Sequence, residues 1–168
     1  MRPERVTTEA ILSCLRASTT LTATDLAARF RCAKITVFRK LAGTGYLRSY
    51  DRNGTFLAHP DAASFDDNGL WEHHGAHFSR WRDLSATITA LVDSSSKGLT
   101  AGQLADLLGH SNVHHHLTTL VEQGRLHKQG SRRSAVYLSK DPKKRKRQVQ
   151  TPRKRKEAHQ VRAADTVG

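Results

Sequence analysis

Cysteine is almost missing from these 168 residues: Cys14 and Cys32 are the only two. They fall in different predicted elements, and neither belongs to a paired metal or disulfide spacing. A disulfide framework or cysteine–zinc scaffold is thereby excluded, and both thiols are read as reduced and structural. Long apolar runs are lacking as well. Nothing approaches the roughly 20 apolar residues of a bilayer span, and the start, with Arg2, Glu4 and Arg5, has no apolar signal-peptide core. The expectation is a soluble, intracellular chain with no membrane partner.

Acidic residues are scarce, 15 against 28 Lys and Arg, which leaves a formal charge of +13. The deficit is greatest at the end: residues 140–168 hold eleven Lys or Arg and three acids. Such an imbalance favours polyanionic partners. Also absent are a Gly-rich phosphate loop, a nucleophile elbow, paired carboxylates in a large fold and a cysteine–histidine arrangement. The expectation is therefore no enzyme and no cofactor.

What the sequence does have is an internal repeat. Leu21-Thr22-Ala23-Thr24-Asp25-Leu26-Ala27 matches Leu99-Thr100-Ala101-Gly102-Gln103-Leu104-Ala105 at five of seven positions. Each copy follows an amphipathic helical stretch, with Ile11, Leu12 and Leu15 in one and Leu84, Ile88, Leu91 and Val92 in the other. Thr22 with Asp25, and Thr100 with Gln103, have capping-box spacing and start short helices predicted near 23–29 and 101–108. Brief turns, Phe30-Arg31-Cys32 and Gly109-His110-Ser111-Asn112, lead to third helices. The first, near 33–44, is expected to turn Ile35, Phe38 and Leu41 inward, and the second Val113, Leu117, Leu120 and Val121. Gly45 and Gly124 end them. Strand-like runs then flank Asp51-Arg52-Asn53-Gly54 in one copy and Gly130-Ser131-Arg132-Arg133 in the other, which predicts two hairpins. The register pairs Ile35 with Val113, yet the distances to Gly45 and Gly124 differ by one, so a gap is expected inside the third helix.

Helix, short helix, third helix and hairpin, given twice, resemble bacterial winged helix-turn-helix domains. The expected fold is mainly α with small β-hairpin wings: a first such domain over 1–60, a linker over 61–81, a second domain over 82–139 and a disordered basic tail over 140–168. The linker includes a short extended piece around Leu70 and Trp71.

The resemblance implies double-stranded DNA binding by groove insertion of a third helix, with RNA as a possible partner. It fits a transcriptional regulator or mobile-element accessory factor in the cytoplasm, associated with the nucleoid. On the first third helix Lys34, Thr36, Val37 and Arg39 are expected outward. Arg39 suits guanine and Lys34 either base or phosphate, while Arg31, just before the helix, and Arg52, at the first hairpin tip, suit phosphate. The second copy offers Asn112, His114, His115 and Thr118, with Lys128, Arg132 and Arg133 on its hairpin. Lys143, Lys144, Arg145, Lys146 and Arg147 of the tail meet phosphates of any sequence.

Rival readings are a protein-interaction module like the tandem winged-helix proteins of chromosome segregation, an RNA-binding protein and, last, a small metal-dependent nuclease. His73, His74 and His77 beside Asp66, Asp67 and Glu72, or His110 with His114, His115 and His116, are the candidate metal clusters. Neither has cysteine partners or a His-Glu-x-x-His string, so polar surface is the favoured reading.

Overall fold

The computed structural model describes residues 6–110, 112–131 and 134–151, apart from the side chain of Asn53. The described chain divides into two compact units. The first runs to Thr87 and takes in Leu108–His110, and the second takes Ile88–Leu107 and the described residues beyond Ser111.

The first unit opens with α1 (Thr8–Ser18), β1 (Thr20–Thr22), α2 (Ala23–Phe30) and α3 (Lys34–Leu41). It continues with β2 (Leu47–Arg48) and β3 (Phe56–Ala58), which form an antiparallel sheet of order β1-β3-β2. The expected capping box is present. Asp25 N–H donates to Thr22 Oγ1 at 3.0 Å, and Thr22 N–H donates to Asp25 Oδ2 at 3.2 Å. Two orphan amides of α2 are thereby satisfied, which fixes where the helix starts. Ile11, Leu15, Ala23, Leu26, Val37, Leu41 and Leu57 form the buried core.

That core corrects the predicted rotation of α3. Val37 and Leu41 face inward with Phe38 beside them, whereas Ile35 is exposed. Leu41 belongs both to the three-residue spacing from Ile35 and to the four-residue spacing from Val37. Packing against α1 and α2 selects the second, so Val37 leaves the outward set and Ile35 joins it.

The expected linker is corrected too, because residues 61–81 contain a hairpin of β4 (Leu70–His73) and β5 (Ala76–Ser79). Ala76 and Phe78 are buried with Leu47 and Ala58 of the first sheet. The Tyr50 N–H donates to His77 O at 2.9 Å, and Asp51 accepts from His77 N–H at 3.0 Å. The His77 Nδ1–Asp51 Oδ2 contact is 2.6 Å. Burial, reinforced by Asp51, pushes the Tyr50 hydroxyl well above its usual range. Desolvation and then His74 lower the His73 imidazole below its usual value. Turn-prone glycines spaced through this segment suggest a linker locally, but its alternating apolar residues have a sheet to bury against.

The second unit contains α4 from Ile88 onward (Leu84–Ser94 in full), α5 as far as Leu107 (Ala101–Leu108 in full), α6 (His114–Glu122), β6 (Leu126–Gln129), β7 (Val136–Ser139) and α7 (Pro142–Gln150). Thr100 and Gln103 exchange the same pair of capping bonds, at 3.1 and 2.9 Å. Leu99 exchanges backbone bonds with Tyr137 at 3.0 and 2.8 Å, as its repeat counterpart Leu21 pairs with Leu57. The repeated heptapeptide is thus one structural device used twice: an extended residue on the hairpin's last strand, followed at once by a capped helix. Gly98 makes the approach possible, since a Cβ there would lie 2.7 Å from Tyr137 O, and its φ is +73°.

The expected one-residue gap falls inside the third helix, since α6 has nine residues against eight in α3. The turn before it is also two residues longer, five against three, and the stretch from the helix to Gly124 is two residues shorter than that from α3 to Gly45, so those two differences cancel. Among the described residues no helix is long and apolar enough to cross a membrane.

The disordered reading of the tail fails over its first part. Asp141 caps α7 by accepting from Lys143 N–H at 3.0 Å, with Pro142 in the first turn. Gln148 is buried: its Oε1 accepts from Ser139 N–H at 2.8 Å, and its Nε2 donates to Val92 O at 2.7 Å and Ser95 O at 3.0 Å. The charge run argues for disorder only if nothing anchors it, and one amide side chain supplies the anchor. Residues 152–168, including the basic run Arg153-Lys154-Arg155-Lys156 of the expected tail, lie outside the described residues.

Arg31 ends α2 at φ +51°, where Gly109 ends α5 at φ +61°. A side chain in the left-handed region is strained, so Arg31→Gly should raise stability by about 0.5–1 kcal/mol in urea unfolding. If Arg31 also meets phosphate, the same variant binds duplex DNA more weakly. Stability and affinity moving together would remove Arg31 from the interface.

Candidate nucleic-acid interface

α3 follows α2 after a three-residue turn closed by the left-handed Arg31. Cys32 N–H donates to Ala27 O at 3.0 Å, which completes the end of α2 and aims the chain into α3. With Val37 and Leu41 buried, helical geometry turns Ile35, Thr36, Arg39 and Lys40 to the other side. Ile35, Arg39 and Lys40 are exposed and Thr36 is half-buried, while Lys34 is exposed at the first turn. Between Asp25 and Asp51 the chain contains no acidic residue. The outward side of α3 therefore carries cations and no acid of its own, with one large apolar side chain set among them.

The adjoining hairpin carries two more arginines. Arg48 lies 4.7 Å above the Phe38 ring, and its Nε donates to Gly54 O at 2.7 Å. Arg52 is exposed, but its Nε donates to Gly75 O at 3.1 Å, so its guanidinium is already tethered to the β4–β5 turn. Local sequence did not reveal this because the acceptor lies 23 residues away.

The corresponding face of the second unit differs in charge. Val113, Leu117 and Leu120 are buried as expected, which leaves His114, His115, Thr118 and Glu122 exposed on α6, with Asn112 exposed before it. No Lys or Arg is present on α6, and Glu122 adds a negative charge there. The cations are elsewhere in the unit. Lys128 is exposed on β6, and Lys143, Lys144, Lys146 and Arg147 are exposed on α7, where Arg145 is half-buried. Arg132 and Arg133, expected at the hairpin tip, lie outside the described residues.

A cleft of about 340 Å³ lies between β6–β7 and α7, with Leu138 among its apolar lining and Arg145, Lys146 and His127 among its polar lining. Burial raises the Tyr137 hydroxyl above its usual range. Among the described residues no group of three or more His, Cys, Asp or Glu side chains is placed to hold a metal ion. His73 and His74 instead stack edge to face at 4.0 Å.

Sequence reasoning missed three features of this surface: the outward Ile35, the outward Lys40 and the folded state of α7. The Asp141-Pro142 pair, a cap followed by a first-turn proline, was the available signal for the last. No protein-family model matches the chain, and neither does a curated protein or a solved structure.

Proposed function

We propose that both units are winged helix-turn-helix modules and that the chain binds double-stranded DNA, with the two units dividing the work. The first reads sequence through α3, and the second holds phosphates through α7 and β6. It serves as a transcriptional regulator or as an accessory DNA-binding component of a mobile element, and acts at the nucleoid.

The observation that carries this reading is the contrast between the third helices. α3 presents Arg39, Lys40 and Lys34 and has no acidic residue of its own, while α6 presents histidines, threonines and Glu122. An α-helix fits the major groove, and a planar guanidinium on its outward face matches the paired acceptors of guanine. Cations on α7 supply sequence-independent attraction to phosphate, because neutralising phosphates releases counterions. The α6 face, poor in fixed charge, supports a second role for that unit as a protein contact.

The test compares the full chain on duplex DNA, single-stranded DNA and structured RNA over a salt series, after selection of a preferred duplex from a random pool. Preference for duplex DNA with a recoverable consensus is the expected result. Equal or tighter binding to RNA overturns it. Arg39→Ala should cost about 1–3 kcal/mol on the selected duplex and much less on a scrambled one. Equal losses on both would move Arg39 from base to backbone.

A further inference from the structure

A single exposed apolar side chain is common on protein surfaces, and what sets Ile35 apart is its place among cations on the outward side of α3. Among the described residues Ile35, Val149 and Leu107 are the exposed large hydrophobics, and Ile35 is the most exposed at 59%. Its neighbours identify what it suits. Arg31, Lys34, Arg39 and Lys40 are all exposed around it, and the nearest acids in sequence are Asp25 and Asp51. An apolar protein surface would have to desolvate these cations without compensation. A polyanion that offers one apolar group among its phosphates fits both features.

Thymine in the DNA major groove is such a partner, because its C5-methyl is the apolar group on an otherwise polar groove edge. We propose that Ile35 is a specificity-determining residue that contacts a thymine methyl, beside the base pair read by Arg39. This rests on the DNA-binding reading and goes further by assigning the base and the atom recognised. Ile35 and Arg39 are one helical turn apart on the same face, about 6 Å along the axis. That separation is comparable with one or two base-pair steps of about 3.4 Å. The β-branched side chain is held near one rotamer in a helix, so little freedom is lost on contact. Uracil lacks the methyl, and the major groove of an RNA helix is too narrow for such a side chain. The same residue therefore favours DNA over RNA.

The experiment replaces each thymine of the selected duplex, singly, with deoxyuridine, which removes only the methyl. Wild type, Ile35→Ala and Ile35→Val are measured on every duplex. At one position wild type should lose about 3- to 10-fold in affinity, the worth of a buried methyl-sized contact. Ile35→Ala should lose a similar factor on the thymine duplex and nothing further on deoxyuridine at that position, and Ile35→Val should fall between. Because Ile35 is exposed and Ala is the better helix former, an unchanged melting curve is expected for Ile35→Ala. Insensitivity of wild type to every replacement overturns the assignment while leaving DNA binding intact. So does an Ile35→Ala variant that remains as sensitive as wild type at every position. Failure of wild type to bind any duplex removes the DNA-binding reading itself and this inference with it.

Discussion

Replacing Lys143, Lys144, Lys146 and Arg147 together with Gln should weaken binding to every duplex alike and flatten its dependence on salt. Each neutralised phosphate contributes about 0.9 to the slope of log affinity against log salt, so loss of all four contacts lowers the slope by about 3 to 4. All four side chains are exposed on α7, and none contributes to the buried anchor at Gln148. Glutamine is a good helix former and relieves the repulsion between like charges one turn apart, so α7 itself should remain folded. Titrations of the selected and scrambled duplexes over a salt series supply the measurement. A slope equal to wild type would place the DNA away from α7. A loss confined to the selected duplex would make α7 a reader of bases and end the division of labour between the units.

The second large effect belongs to Gln148. Gln148→Ala leaves Ser139 N–H and Ser95 O without the partner that Gln148 supplies, while Val92 O keeps the bonds it accepts from Ser95 N–H and Oγ. Buried backbone groups left unpaired cost about 1–3 kcal/mol each, less where water reaches them, so the variant should lose about 2–4 kcal/mol. α7 should detach, because its own sequence is a run of like charges that gains little from helix formation alone. Trypsin should then cut between Lys143 and Arg147 faster than it does in wild type. Gln148→Glu distinguishes hydrogen bonding from simple filling of space. It keeps an acceptor for Ser139 N–H but sets a carboxylate oxygen against two carbonyls, so it should be no better than Ala. A Glu variant close to wild type in urea unfolding would show that packing of the side-chain stem is what holds α7.

Several elements were legible because their signals are local. Thr22 with Asp25 and Thr100 with Gln103 start α2 and α5 where predicted, since a cap needs only residues three apart. Gly124 adopts the positive φ expected just beyond α6, and Gly109 does the same after α5, whereas α3 ends at Leu41, short of the expected 44, and Gly45 takes its positive φ four residues further on. The inward stripes of α1 and α4 follow from period alone, as Ile11, Leu15, Ile88, Leu91 and Val92 are buried.

The charge of the candidate interface was equally legible, and Arg39 is exposed on α3 as expected. The composition of its outward face was not. The three-residue and four-residue spacings that meet at Leu41 are equal in sequence, and only contact with α1 and α2 puts Val37 inside and Ile35 in solvent.

The sequence by itself therefore determined the repeat, the helix starts, the turn glycines and the excess of positive charge, because each depends on residues close together along the chain. The tertiary structure decided the rotation of α3, the pairing of the 61–81 segment into a sheet and the attachment of α7. For α7 the partners of Gln148 at Val92 and Ser95 lie 56 and 53 residues away. Nothing in a local window specifies which distant backbone groups remain unpaired until the rest of the unit has closed around them.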